Sequence, residues 1–257
     1  MIGWPVAHSR SPVMMAAALE ALGMSWRYMR LPVPPELFAE TVLGLPGSGY
    51  RGANVTIPHK PAALRVATRA TAAASAIGAA NTLTFEPDGA IEADNTDAGG
   101  FLDALGEPPR GLSALVLGAG GAGRAVAWAL HEAGAAQVML WNRTAERAAA
   151  LATELQVDYV ERPRQADLIV NATSVGLRDG EERAAIAALG LDSLEPPAVA
   201  VDMVYGSEGT PFARWAARGG ARVVCGLDIL VAQGARSLER WTGRPAPLDI
   251  MRTAVAI

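Results

Sequence analysis

The sequence predicts an α/β chain made of an N-terminal α/β domain and a Rossmann-type, doubly wound parallel sheet. Short apolar runs alternate with helix-forming segments from Ser113 to Cys225, the pattern of βαβ units. A Gly118-x-Gly120-x-x-Gly123 sequence lies between the first of those runs and the first of those helices, where a tight phosphate-binding turn belongs. The chain has 257 residues, 51% of them apolar and 19% charged, enough for two modest domains with separate cores.

In the first half, Pro12 to Leu22 reads as an apolar helix, and Val55-Thr56-Ile57 as a β-branched strand run ended by Pro58. Leu83-Thr84-Phe85 and Ala90-Ile91-Glu92 flank Asp88-Gly89, which predicts a hairpin with a tight Asp-Gly turn. Gly106-Glu-Pro-Pro-Arg-Gly111 is the expected domain junction. Beyond it, Ser113–Leu117 is a buried parallel strand and an Ala-rich helix runs to about Glu132, stopped by Gly134. Gln137–Trp141 is the second strand. Thr144 to Leu155 is a helix with Thr144 as N-cap. Leu168–Val170, Ala198–Val201 and Ala221–Cys225 complete the strands. His131, late in its helix, is expected on the surface against the helix dipole.

Composition narrows the function classes. A formal charge of −4 gives no basic surplus for nucleic acid or an anionic membrane. The one cysteine, Cys225, excludes an internal disulfide and a Cys-rich zinc site, and three scattered histidines make no metal cluster. The longest charge-free stretch, Ala70 to Phe85, falls short of the roughly 20 apolar residues of a membrane span. Met1 to Pro5 lacks the basic and apolar regions of a secretory signal. A cytoplasmic protein acting on small molecules, as a monomer or homodimer, is expected.

The glycine loop carries the first chemistry. Gly118 permits the turn, Gly120 lets the backbone approach a pyrophosphate, and Gly123 lets helix pack against strand, with Gly121 at the helix start. An NAD site places Asp or Glu at the end of the second strand. Here that position reads Trp141-Asn142-Arg143-Thr144, with Arg147 a turn later. No carboxylate repels a 2′-phosphate, and two guanidiniums on one helix face would clamp it. NADP is therefore the expected cofactor; a solvated helix start is the plainer reading of the same arginines.

Four polar clusters mark the first half: His8-Ser9-Arg10-Ser11-Pro12, Asn54-Val-Thr56-Ile-Pro58-His59-Lys60, Ala80-Asn81-Thr82 and Asn95-Thr96-Asp97. Singly, these read as a helix start, turn formers and a solvated charge. Together they offer the hydroxyls, amides, ammonium and carboxylate that a polyhydroxylated acid needs. With GAGGAGRA at 118–125, NRT at 142–144, NATS at 171–174, VDMVY at 201–205 and the segment Gly226 to Gly234, the chain resembles the shikimate dehydrogenases over nearly its whole length.

The resemblance implies a substrate-binding and catalytic domain at 1–105, an NADP-binding domain at 106–227, and a helical segment at 228–257 that returns to the first domain. It implies reversible reduction of 3-dehydroshikimate to shikimate, a step of aromatic amino-acid biosynthesis, in a cleft between domains that close to exclude water. Ser9 and Ser11 would hold the substrate carboxylate with Tyr205 nearby, and Asn54, Thr56, Asn81 and Gln233 its hydroxyls. Lys60 and Asp97 match the catalytic pair. Asn142, Arg143, Thr144 and Arg147 match the NADP-selective segment, while Thr173, Met203 and Gly226 belong to the cofactor site. Gly123 stands where the family commonly has Ala or Ser, a difference expected to be harmless. Only two residues precede Gly3, so either the first strand is short or the native chain begins upstream.

The chemistry points the same way. Hydride addition to a ketone needs a proton donor for the developing alkoxide, and the reverse needs a base. A lysine ammonium serves both the oxyanion and the proton, and a nearby carboxylate orients it. His59 has the wrong alternation to join it. The competing readings are an NAD-dependent quinate/shikimate dehydrogenase, an aminoshikimate enzyme, and a non-catalytic ligand-binding regulator. Asn142-Arg143-Thr144 argues against NAD, and Ser11 against quinate, since quinate-preferring relatives can carry Thr there. The presence of both Lys60 and Asp97 argues against the regulator.

Overall fold

The computed structural model describes residues 1–177, 181–206 and 209–256. The chain forms two units, one of Met1–Gly100 with the segment from Leu230 onward, the other of Phe101–Ile229.

In chain order the first unit holds β1 (Ile2–Gly3), α1 (Ser11–Ala21), β2 (Leu31–Pro32), α2 (Phe38–Gly44), β3 (Gly52–Asn54), α3 (Lys60–Val66), β4 (Arg69–Ala70), α4 (Ala72–Ile77), β5 (Thr82–Phe85) and β6 (Ile91–Asp94). Helix α5 (Thr96–Leu105) then leads across the division. Four strands form one sheet in the order β3-β5-β6-β4, with β3–β5 and β5–β6 antiparallel and β4–β6 parallel. β1 and β2 pair in parallel, and a bridge between Ile2 and Val55 ties them to the end of β3. Leu83, Ala93, Ala53 and Val55 bury their side chains against Phe38, Val42 and Ile2, and this apolar contact holds the helices to the sheet.

Two local expectations are corrected. The β-branched run 55–57 is not a strand: the strand lies at Gly52–Asn54, and only Val55 reaches a bridge. Thr56 N–H donates to Ile2 O and His59 N–H to Thr56 O, so the chain is already turning when it reaches Pro58. The hairpin is also not closed by two residues. Gly89 N–H donates to Glu86 O (3.0 Å) and Glu86 N–H to Ala90 O (2.9 Å), leaving Pro87-Asp88-Gly89 as the loop. Gly89 has φ +84°, the left-handed residue that closes a three-residue hairpin.

The second unit is a six-stranded parallel sheet of β7 (Ser113–Leu117), β8 (Gln137–Trp141), β9 (Asp158–Tyr159), β10 (Leu168–Asn171), β11 (Val199–Asp202) and β12 (Arg222–Val224). Their order is β12-β11-β10-β7-β8-β9; counted within the unit this is the 3-2-1-4-5-6 order of dinucleotide-binding folds, read from the opposite edge. The connecting helices are α6 (Gly121–Glu132), α7 (Ala145–Leu155), α8 (Glu182–Ala188) and α9 (Pro211–Arg218). β7 and β10 are buried on both faces, as apolar strands covered by helices must be. His131 lies in the last turn of α6, and Gly134 follows at φ +86°. The side chain of His131 is exposed, as expected for it. Helix α10 (Gly226–Thr242) crosses back into the first unit at Leu230, and α11 (Leu248–Val255) packs along α1.

Candidate active site

Antiparallel pairing places the end of β3, the start of β5 and the end of β6 at one end of the first sheet. Asn54, Asn81 and the run 95–97 are gathered there although they are distant in sequence. Asn95 Oδ1 accepts from the N–H groups of Asp97 (3.2 Å) and Ala98 (3.4 Å), capping α5. Asp97 thereby sits in the helix's first turn. Lys60 opens α3, and its Nζ lies 2.5 Å from Asp97 Oδ2. The two side chains keep only 14% and 9% exposure, so each charge is largely withdrawn from water and depends on the other.

Asn81 holds the pair in place. Its Nδ2 lies 2.8 Å from Asp97 Oδ1, 3.0 Å from Thr96 Oγ1 and 3.3 Å from Gln233 Oε1, and its Oδ1 accepts from Thr96 N–H at 2.7 Å. Gln233, delivered by α10, donates its own amide to Leu230 O at 2.7 Å. Two glycines bring that helix close. A Cβ on Gly100 would stand 2.5 Å from Gln233 N, and one on Gly234 would overlap the end of Met14. Helix α10 therefore packs against α1 and α5 without a gap at these two points.

Behind this pair lies a layer of hydroxyls that sequence reasoning missed. Asn54 Nδ2 donates to Ser237 Oγ (2.8 Å) and Thr82 Oγ1 (3.2 Å), and Asn54 Oδ1 accepts from Tyr28 OH (2.7 Å). The hydroxyls of Thr82, Thr96 and Ser237 lie 2.9–3.1 Å from one another. Thr82 and Thr96 adjoin Asn81 and Asp97 in motifs already singled out, and Ser237 follows Gln233 by one helical turn. Tyr28 carries no such signal. Its burial pushes the phenol's pKa up, so it stays a neutral donor.

Among the described residues Ser9, Ser11 and Thr56 take no part in this network. Ser11 N–H donates to Ser9 Oγ (3.2 Å) at the start of α1, and Thr56 lays its methyl over Gly3, where a Cβ would collide with it. His59 is spent on structure: its Nε2 lies 2.7 Å from Val33 O and its ring stacks on Phe38 with centroids 4.5 Å apart.

In the second unit the glycine loop follows β7 at the point where the connections of β7 and its neighbour β10 run to opposite sides, the switch point of such sheets. Gly118 has φ +115°, and a Cβ there would come within 2.8 Å of Ala172 O. A Cβ on Gly123 would overlap Gly118 O, whereas Gly120 faces open space. Backbone N–H groups at the start of α6 are thus presented to an open cradle that suits a pyrophosphate. Asn142 ties the two loops together, its Oδ1 accepting from Ala119 N–H (3.2 Å) and its Nδ2 donating to Thr144 O (3.0 Å).

Arg143 and Arg147 are exposed at the start of α7, with no carboxylate at the end of β8. One expectation about them is corrected. Thr144 is the N-cap and Arg143 precedes it, so the two arginines do not share a helix face, and the Thr144 side chain makes no capping bond. Thr173 Oγ1 donates to Asn171 Oδ1 (2.7 Å) and accepts from Val175 N–H (3.0 Å), fixing the loop after β10. Asn171 in turn donates to Asp202 Oδ1 (3.0 Å), a carboxylate that also accepts from Val204 N–H and Thr210 OH. Burial pushes the Asp202 pKa up to about 6 against these three donors. Met203 N–H donates to Asn171 O (2.9 Å), the half-buried Tyr205 follows Val204, and Gly226 presses its bare Cα on Val204 O.

Comparison with known proteins bears on the whole chain. Residues 1–83 match the shikimate dehydrogenase substrate binding domain, 107–176 the shikimate / quinate 5-dehydrogenase model, and 226–256 the shikimate 5′-dehydrogenase C-terminal domain. A shikimate dehydrogenase (NADP(+)) of Methanopyrus kandleri is 41% identical, the match covering 99% of this chain and 93% of the relative. The structure resembles shikimate 5-dehydrogenase from Thermus thermophilus, solved in complex with NADP(H) and shikimate, at a TM-score of 0.85 and 42% identity over 98% of this chain and 96% of that one. It also resembles shikimate dehydrogenase from Aquifex aeolicus at a TM-score of 0.90 and 35% identity, covering 100% and 96%. Matches of this extent, spanning both units and the motifs that build them, show that the chain belongs to the shikimate dehydrogenase family.

Proposed function

We propose that this chain catalyses the reversible NADP-dependent reduction of 3-dehydroshikimate to shikimate, in the cytoplasm and in the service of aromatic amino-acid biosynthesis. The observation that carries the reading is the Lys60–Asp97 pair at 2.5 Å, held through Asn81 to Gln233. The first unit is the substrate-binding and catalytic domain, and the second binds the cofactor through Gly118, Gly120, Gly121, Gly123, Asn142, Arg143, Thr144 and Arg147, with Thr173, Met203 and Gly226 at its reacting end. All these residues come from one chain, which suits a monomer or a homodimer.

The bound NADPH supplies the hydride. The chain's own residues handle the proton and the orientation. Lys60 Nζ donates a hydrogen bond to the substrate carbonyl oxygen, stabilises the charge that develops on it, and transfers its proton to the forming hydroxyl. In the opposite direction the neutral amine takes that proton back. Asp97 holds Nζ at its station, and Asn81 prevents the carboxylate from turning away. Asn54, Thr56, Asn81 and Gln233 hold the substrate's hydroxyls, and Ser9, Ser11 and Tyr205 its carboxylate. Holding the ring in one pose converts binding energy into orientation.

The test is the reduced-nicotinamide absorbance with shikimate or quinate, each with NADP or NAD. Signal with shikimate and NADP, at an efficiency above that of the other three pairs, is the expected result. A preference for quinate with NAD would overturn the specificity, and silence in all four pairs with cofactor still bound would favour a ligand-binding regulator.

A further inference from the structure

A cavity of about 500 Å³ opens in the first unit beside Tyr28, the residue whose hydroxyl holds Asn54. Its walls are aromatic, formed by Trp26, Tyr28, Tyr50 and Trp241, and its lining includes Arg27 and Arg51. Neither arginine joins an ion pair among the described residues. The Tyr50 hydroxyl donates to the thioether of Met29, at 3.3 Å, a weak acceptor that a carboxylate would replace. The wall is built rather than left over: Trp241 lies against Gly52, where any Cβ would collide with the indole, and donates to Leu83 O at 3.0 Å. Aromatic faces with two uncommitted guanidiniums select a flat, apolar anion, and the volume is that of a small-molecule site.

We propose that this cavity binds a planar aromatic carboxylate, and that its occupancy acts on the substrate site through Tyr28. The ring would stack between the aromatic walls while its carboxylate meets Arg27, Arg51 and Tyr50. Tyr28 is the link: its ring packs on Trp241 at a centroid distance of 6.3 Å, and its hydroxyl holds Asn54 Oδ1 at 2.7 Å. A ligand that moves the Tyr28 ring moves the amide assigned to the substrate's hydroxyls. This second step rests on the proposed function; the binding step does not.

The experiment uses the whole chain with 2-naphthoate as probe and cyclohexanecarboxylate as the non-planar control. Calorimetry should show 2-naphthoate binding with a dissociation constant at or below the millimolar range, weaker binding of the control by about tenfold, and loss of binding in Arg27→Ala/Arg51→Ala. Neither arginine belongs to the Lys60–Asp97 network, and the double variant should keep its activity without probe. In the shikimate assay the probe should raise the shikimate KM about fivefold with kcat little changed, an effect absent in Tyr28→Phe although the probe still binds. No binding, equal binding of the control, or binding that survives the double variant would overturn the site. Binding that leaves the shikimate KM unmoved would overturn the link through Tyr28. A chain that does not oxidise shikimate would sink the proposed function, while the calorimetry would still decide the cavity.

Discussion

Ser237 shows how much of the active site rests on one hydroxyl. It accepts from Asn54 Nδ2 at 2.8 Å and meets Thr82 and Thr96, and it is fully buried. Ser237→Ala leaves those three groups short of a partner, which costs about 1–3 kcal/mol of stability, and it frees the Asn54 amide to turn. The shikimate KM should rise more than kcat falls, read by steady-state kinetics beside a urea titration. At this scale the sequence was legible where polar residues stand in recognisable runs. Lys60 and Asn81 both meet Asp97, and Gln233 meets Asn81. Tyr28 and Ser237 were not legible, because neither stands in a polar run of its own. Their partner, Asn54, lies far along the chain, and no local pattern announces a hydrogen bond of that span.

Among the elements, five of the six parallel strands of the second unit are legible to within about a residue, because most are apolar runs, whereas the two-residue, exposed β9 carries no such signal. The irregular pieces were read less well. The run 55–57 has β-branched residues and yet turns, since Pro58 ends the strand's use and β1 takes its hydrogen bonds. Thr144 caps α7 as expected, but Arg143 precedes the cap and so lies off the helix face that the spacing to Arg147 suggests. β11 carries a pH prediction. Asp202 at its end has its pKa raised by burial to about 6 from 3.8. In that interval the folded chain binds more protons than the unfolded one, so stability falls as pH rises from about 4 to about 6, by up to about 3 kcal/mol. Asp202→Asn should flatten this part of the profile, checked by urea unfolding at several pH values across the interval. An unchanged slope would show that the carboxylate titrates normally.

For the whole molecule, the proposed function assigns the substrate chemistry to one unit and the cofactor chemistry to the other. In the proposed function Arg143 and Arg147 select the second. Replacing both by Ala removes charge-assisted contacts to a 2′-phosphate, each worth about 1.5–3 kcal/mol. The NADP-over-NAD ratio of kcat/KM should therefore fall at least about tenfold while kcat with saturating NADP changes little. The order of the units and the glycine loop were legible in the sequence. The crossing of α10 back to the first unit came from the family resemblance, since the segment's composition alone places it with either unit.

Lys60 tests the account most directly. Initial rates of NADP reduction by shikimate should be measured for the wild type and Lys60→Ala, with the shikimate dissociation constant determined alongside by calorimetry. General acid–base catalysis contributes about 10²–10⁴-fold, so the account predicts a fall in kcat of that size with shikimate binding weakened less than about tenfold. A Lys60→Ala enzyme that keeps near-normal turnover would contradict it, because the account assigns the proton to the ammonium held 2.5 Å from Asp97 and to no other group.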